Sequence, residues 1–149
     1  MEDRRKKLKV LFLCTGNSCR SQMAEGWARH LKGDLIEPYS AEVAVGTLDA
    51  RAVQVMKEAG VDISHQRPKH VQGLMHIDFD YVITLCDHAR ETCPVFPGKA
   101  KIVHRAFPDP PALVRSAEND RQALEHYRRV RDQIKSFIER LPEALRPVS

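Results

Sequence analysis

Hydrophobic positions recur along this chain with two different periods. Near the start a continuous apolar run over residues 10–13 sits inside the segment 8–14 and stops at a small polar turn, Thr15-Gly16-Asn17-Ser18. Unbroken apolarity of that kind predicts a strand buried on both faces. Beyond the turn, Met23, Ala24, Trp27, Ala28 and Leu31 recur at three and four, which predicts a helix over 21–32 ending near Gly33. Residues 35–40 read as a second strand. Asp49 is the expected N-cap of a second helix whose face is Ala52, Val55, Met56 and Ala59, with Gly60 as its stop. Residues 66–76 add a helical turn or two after Pro68, and 79–85 is a near-continuous apolar run typical of a buried parallel strand. A fourth strand is expected over 100–104, followed by the proline-rich loop Phe107-Pro108-Asp109-Pro110-Pro111. The clearest helix comes last: Leu124, Tyr127, Val130, Ile134, Phe137 and Leu141 share one face until Pro142 ends it. Strands alternating with helices across short links predict an α/β fold, a four-stranded parallel sheet with helices on both faces.

Composition narrows the class. With 149 residues, 42% hydrophobic and 30% charged, the chain reads as one globular domain over 1–149, led by a flexible basic tail over 1–7. The net charge of +4 owes much to Arg4-Arg5-Lys6-Lys7 in that tail and suits a small anionic substrate better than a nucleic acid. The early apolar run is too short for a secretory signal or a membrane span, so the expected location is the cytoplasm, with no membrane partner. In that reducing compartment four cysteines point to chemistry rather than to a disulfide framework. The spacings Cys14-x4-Cys19 and Cys86-x6-Cys93 are not zinc spacings and the seven histidines are scattered, so no metal centre is expected. A monomer is expected.

The turn after the first strand holds the chemistry. A strand, a tight loop and a helix N-terminus in succession aim the backbone N–H groups of residues 15–20 into one concavity, with the helix dipole behind them. Thr15, Gly16, Asn17, Ser18, Cys19 and Arg20 are therefore the candidate oxyanion-binding residues, and Asn17 and Ser18 are suited to holding the loop shape by hydrogen bonds to its own backbone. The same field favours a thiolate at Cys14, and Arg20 can grip two anion oxygens in a planar fork. Ser21 stands where its hydroxyl could donate to the Cys14 sulfur. If residues 86–93 were helical, Cys86 and Cys93 would share a face but lie about 10 Å apart. A disulfide tolerates only about 4.4–6.8 Å between Cα atoms, so pairing them requires that segment to unwind.

The run Cys14-Thr-Gly-Asn-Ser-Cys-Arg-Ser-Gln-Met-Ala-Glu-Gly-Trp resembles the anion loop of the low-molecular-weight tyrosine phosphatase fold, and more narrowly the thioredoxin-coupled arsenate reductases built on it. Further likeness lies at Tyr39-Ser40-Ala41, Asp62-Ile63-Ser64, Thr84-Leu85-Cys86 through Cys93-Pro94, and Phe107-Pro108-Asp109-Pro110, so it spans about residues 8–140. The resemblance implies strand order 2-1-3-4, which puts the loop at a topological switch point where ligands bind. It implies arsenate as substrate, with phosphate or sulfate as competing anions. It implies a relay in which Cys14 attacks arsenic, Cys86 attacks Cys14 to release arsenite, and Cys93 takes over the disulfide for thioredoxin to reduce. Asp109, between two prolines, is then the general acid, and no tightly bound cofactor is needed. The alternative is a low-molecular-weight protein tyrosine phosphatase using Cys14, Arg20 and Asp109 and leaving Cys86 and Cys93 idle.

The chain also departs from these patterns. Pro111 stands where such phosphatases carry an aromatic that packs the substrate ring. Glu42 stands where a glycine is common. Several of the reductases bind potassium beside the loop, through ligands that match Asn17, Glu25 and Ser40 plus an aspartate whose place here is Lys69. Dependence on a monovalent cation is thus left open, with a tethered Lys69 ammonium expected to take the ion's part.

Overall fold

The structure, a computed structural model, describes residues 6–15, 19–44, 46–96 and 98–145. Its centre is β1 (Leu8–Cys14), flanked by β2 (Ile36–Glu42) on one side and β3 (Tyr81–Thr84) on the other, with β4 (Lys101–His104) outside β3. All pairs are parallel and the order is 2-1-3-4. The helices are α1 (Arg20–Lys32), α2 (Ala50–Glu58), the short α3 (Asp87–Glu91), the single turn α4 (Pro110–Leu113) and the long α5 (Asp120–Glu139).

Each strand sends alternate residues to opposite faces. Val10, Phe12 and Ile83 join α1, α2 and α5 in one core, around Trp27, Met56, Val130, Ile134 and Ile138. Leu11, Leu13 and Val82 join Val71, Phe79 and Ala89 of α3 in a second core on the other face. Burial on both sides explains why β1 is apolar without alternation. At Gly26, α1 presses so closely on the segment after α2 that a Cβ would stand 2.5 Å from Ile63 Cγ2.

Helix ends follow local chemistry. Asp49 caps α2 as expected, its Oδ1 accepting from the Arg51 and Ala52 N–H groups. Its other oxygen accepts from Tyr127 Oη at 2.7 Å, which ties α2 to α5. Asn119 caps α5 through Gln122 N–H. Helical structure in 66–76 is confined to a 3-10 turn, Val71–Leu74. The proline-rich segment, expected as loop, coils into α4 at Pro110. Proline is suited to a first helical turn because it lacks the N–H that would go unpaired there. The second strand runs two residues further than its apolar pattern, to Glu42, because backbone pairing with β1 continues to Cys14. Among the described residues no helix is long and apolar enough to cross a membrane.

Candidate active site

Parallel order brings the ends of β1 and β3 together. Leu13 lies in register with Thr84, and Leu85 N–H donates to the Leu13 carbonyl at 2.9 Å. The residues that follow, Cys14 and Cys86, therefore meet although 72 positions separate them. They share a hydrogen bond, and Thr15 Oγ1 hydrogen-bonds with Cys86 Sγ at 3.9 Å. Cys14 is wholly buried and Cys86 nearly so.

Arg20 opens α1 directly behind Cys19, its N-cap. The guanidinium is 5% exposed: Nη1 donates to the Phe107 carbonyl at 2.8 Å and Nη2 lies 3.6 Å from Asp109 Oδ1. Its Nε is a buried donor with no partner among the described residues. A planar fork fixed on one side and open on the other suits an incoming oxyanion. Asp109, at the N-cap of α4, is thereby held beside the same guanidinium. Gly16, Asn17 and Ser18 of the expected loop lie outside the described residues.

The thiols divide the protons unequally. The hydrogen bond from Cys14 to Cys86 pulls Cys86 down to about 5, with the Ala89 N–H, the Arg20 charge and the Thr15 hydroxyl assisting against partial burial. Donating that bond, together with burial, pushes Cys14 well above the ordinary thiol range, although Arg20 and the Thr15 N–H pull the other way. The expected thiolate at Cys14 thus competes with Cys86 for one charge, and the hydrogen bond between them favours Cys86 in this conformation. Cys19 is kept a thiol by burial and the neighbouring Asp49 charge, and Cys93 is raised by burial. None of the four cysteines is in a disulfide.

Other expectations shift as well. Ser21 donates to Glu42 Oε2 at 3.3 Å instead of to sulfur. Glu42 is wholly buried, in register with Cys14, and a buried carboxylate draws a nearby hydroxyl. Glu25 and Ser40 do come together, Ser40 Oγ donating to Glu25 Oε1. Lys69 does not join them: its ammonium is exposed and donates to the Arg67 carbonyl at 2.7 Å. The cation on Glu25 is Arg29, one turn further along α1. Gln66 Oε1 accepts from Arg29 at 2.9 Å, while Gln66 Nε2 donates to Gln22. The spacing of Glu25 and Arg29, four apart on a helix, was a readable signal. Cys86 is the N-cap of α3, and Cys93 lies beyond the helix, its thiol donating to the Pro94 carbonyl at 3.5 Å.

Residues 9–147 match the family model of low molecular weight phosphotyrosine protein phosphatases. A Halalkalibacterium halodurans protein named arsenate reductase is 42% identical over 137 residues, which cover 92% of this chain and 96% of that one. Among solved structures, one of an arsenate reductase in the phosphate-binding state superposes with a TM-score of 0.74 at 31% identity, covering 93% of this chain and 99% of its own. A low-molecular-weight protein tyrosine phosphatase from T. tengcongensis follows at 0.70 and 28% identity, covering 93% and 99%.

Proposed function

The chain belongs to the low-molecular-weight phosphotyrosine protein phosphatase family, and from that premise we propose that it reduces arsenate to arsenite through a three-cysteine relay recycled by thioredoxin. The observation that carries the reading is the Cys14–Cys86 hydrogen bond: a second thiol is held against the nucleophile. A phosphatase of this fold would use Cys14, Arg20 and Asp109 and leave that contact without a task.

Arsenate enters the loop with its oxygens on Arg20 and the loop amides. Cys14 gives its proton to Cys86 as its sulfur attacks arsenic, and an arsenate oxygen leaves as water with a proton from Asp109. Cys86 then gives its proton to water and attacks Cys14 Sγ. The S–As bond breaks, its electron pair stays on arsenic, and arsenite departs in the +3 state. Two thiols have become the Cys14–Cys86 disulfide, which accounts for both electrons. Cys93 attacks Cys86, freeing Cys14 as thiolate. α3 stands between the two cysteines, from Asp87 to Glu91, and the exchange is expected to require it to unwind so that Cys86 and Cys93 reach disulfide distance. The dithiol of thioredoxin then reduces the Cys86–Cys93 bond.

Arsenate and phosphate share shape and charge, so phosphate and sulfate are competing ligands of the loop. The enzyme is expected to act as a cytoplasmic monomer with no tightly bound cofactor. The deciding experiment is arsenate-dependent NADPH consumption in the presence of thioredoxin and its reductase. Turnover is expected; no consumption together with fast phosphotyrosine hydrolysis would hand the chain to the phosphatase reading.

A further inference from the structure

Three residues outside the relay lie on either side of Cys86. Thr84 and His104 are register partners on β3 and β4, and the His104 Nδ1 stands 2.7 Å from Thr84 Oγ1. The same ring's Nε2 stands 3.0 Å from Asp87 Oδ1. One imidazole thus connects the last residue of β3 with the first residue of α3.

The carboxylate fixes one end of the network. A carboxylate only accepts, so Nε2 carries the hydrogen toward Asp87. In the neutral ring Nδ1 is then the acceptor for the Thr84 hydroxyl, and in the charged ring it becomes a donor to the same oxygen, so the bridge holds in both forms. Thr84 is wholly buried and its other neighbour, the Val103 carbonyl, lies at 3.5 Å, so His104 is the partner that satisfies it.

We propose that His104 is a positioning residue for Cys86: by stapling Thr84 to Asp87 it fixes the strand-to-helix junction that aims the Cys86 sulfur at Cys14. A helix of five residues does not hold itself in water, and among the residues of α3 only Ala89 is buried. The sulfur depends on that turn, because it accepts the Ala89 N–H at 3.4 Å with Cys86 extended at the N-cap. The other groups facing the sulfur, Cys14, Thr15 and Arg20, belong to β1, the loop and α1, and gain nothing from a displaced Cys86.

The proposal rests on Cys86 as the relay thiol, but its test uses no arsenate. In the full chain, Asp87→Ala, Asp87→Asn, His104→Ala and the double alanine variant are alkylated with iodoacetamide across pH, and Cys86 modification is read by peptide mass mapping beside the melting temperature. Either single alanine should raise the Cys86 midpoint by about one pH unit, roughly a tenfold loss of reactivity below it. The double variant should add nothing, since both singles break one contact. Asp87→Asn should match the parent, because its amide oxygen still accepts Nε2–H. A parent-like Cys86 profile in both alanine variants overturns the proposal, even with a lower melting temperature. So does an asparagine variant shifted as far as alanine, which would make charge at the start of α3 the cause. If the profile moves as expected while Cys86→Ser still reduces arsenate, the staple stands and the relay falls.

Discussion

Cys14 and Cys86 share one side-chain hydrogen bond, which draws the Cys86 thiol down and pushes the Cys14 thiol up. The first proton leaves with Cys86 drawn down to about 5, and the second is retained on Cys14 well above the ordinary thiol range. At pH 6, iodoacetamide is therefore expected to modify Cys86 ahead of Cys14 and Cys93. Changing Cys86 to Ser replaces a charged acceptor with a neutral hydroxyl that can itself donate to a Cys14 thiolate, so Cys14 should then react at lower pH than in the parent. Peptide mapping between pH 5 and 9 checks both statements, and Cys14 labelled first in the parent would put the thiolate on the other sulfur. The linkage to stability has a definite sign. The depressed Cys86 contributes stability that is fully present above its unfolded value of about 8.5. That contribution is lost as pH falls through about 5.

Arg29 occupies the position in which a free cation would neutralise Glu25. Its guanidinium is tethered, so exchanging potassium for sodium is expected to change activity less than twofold. Lys69→Asp alone should not alter this, since Lys69 points to the Arg67 carbonyl. Arg29→Ala should leave Glu25, 6% exposed, with Ser40 as its remaining donor among the described residues, and make activity or melting temperature respond to potassium. A strong preference of the parent for potassium would mean that Arg29 does not do the ion's work.

What was legible in the chain was local. The three-and-four recurrence of α5, the Asp49 cap and the buried run of β1 each depend on residues within a few positions, and all three stand in the structure. The strand order came from resemblance, because periodicity carries no information about which strands are neighbours. The contacts that define the site join distant positions: Arg20 with Phe107, Ser21 with Glu42, Thr84 with His104. In the sequence Glu42 stands out only as a departure where a glycine is common. That it is buried beside Cys14 depends on two strands being in register, and nothing around position 42 in the sequence reveals it.

Gly26→Ala tests how tightly α1 seats on the segment after α2. The added methyl would meet Ile63 Cγ2 at 2.5 Å and Met56 Cε at 3.3 Å. Met56 is flexible, but Ile63 is branched and fully buried, so the helix must shift. A loss of about 1–3 kcal/mol is expected, of the size usual for overpacked cores. Thermal unfolding should show a lower midpoint with the Cys86 alkylation profile unchanged. An unchanged midpoint would mean that α1 can move away from Ile63 at little cost.

The cysteine series separates reductase from phosphatase, because in the relay each thiol fails at a different step. Cys14→Ser should abolish arsenate reduction and any slow hydrolysis of a small aryl phosphate, since both begin with the same nucleophile. Cys86→Ser should abolish reduction and leave hydrolysis, since water still resolves a phospho-cysteine. Because the Cys86 contact raises Cys14 in the parent, hydrolysis is expected to quicken once that contact is gone. Cys93→Ser should allow one turnover and then stall as a Cys14–Cys86 disulfide shielded by the burial of both sulfurs. Cys19→Ser should change little, because burial and Asp49 keep that thiol protonated. In a quenched reaction without thioredoxin, arsenite per enzyme should approach one for the Cys93 variant and stay near zero for the Cys86 variant. Sustained arsenate turnover by Cys86→Ser with thioredoxin would sink the relay, and strong phosphotyrosine hydrolysis by the same variant would make the enzyme a phosphatase.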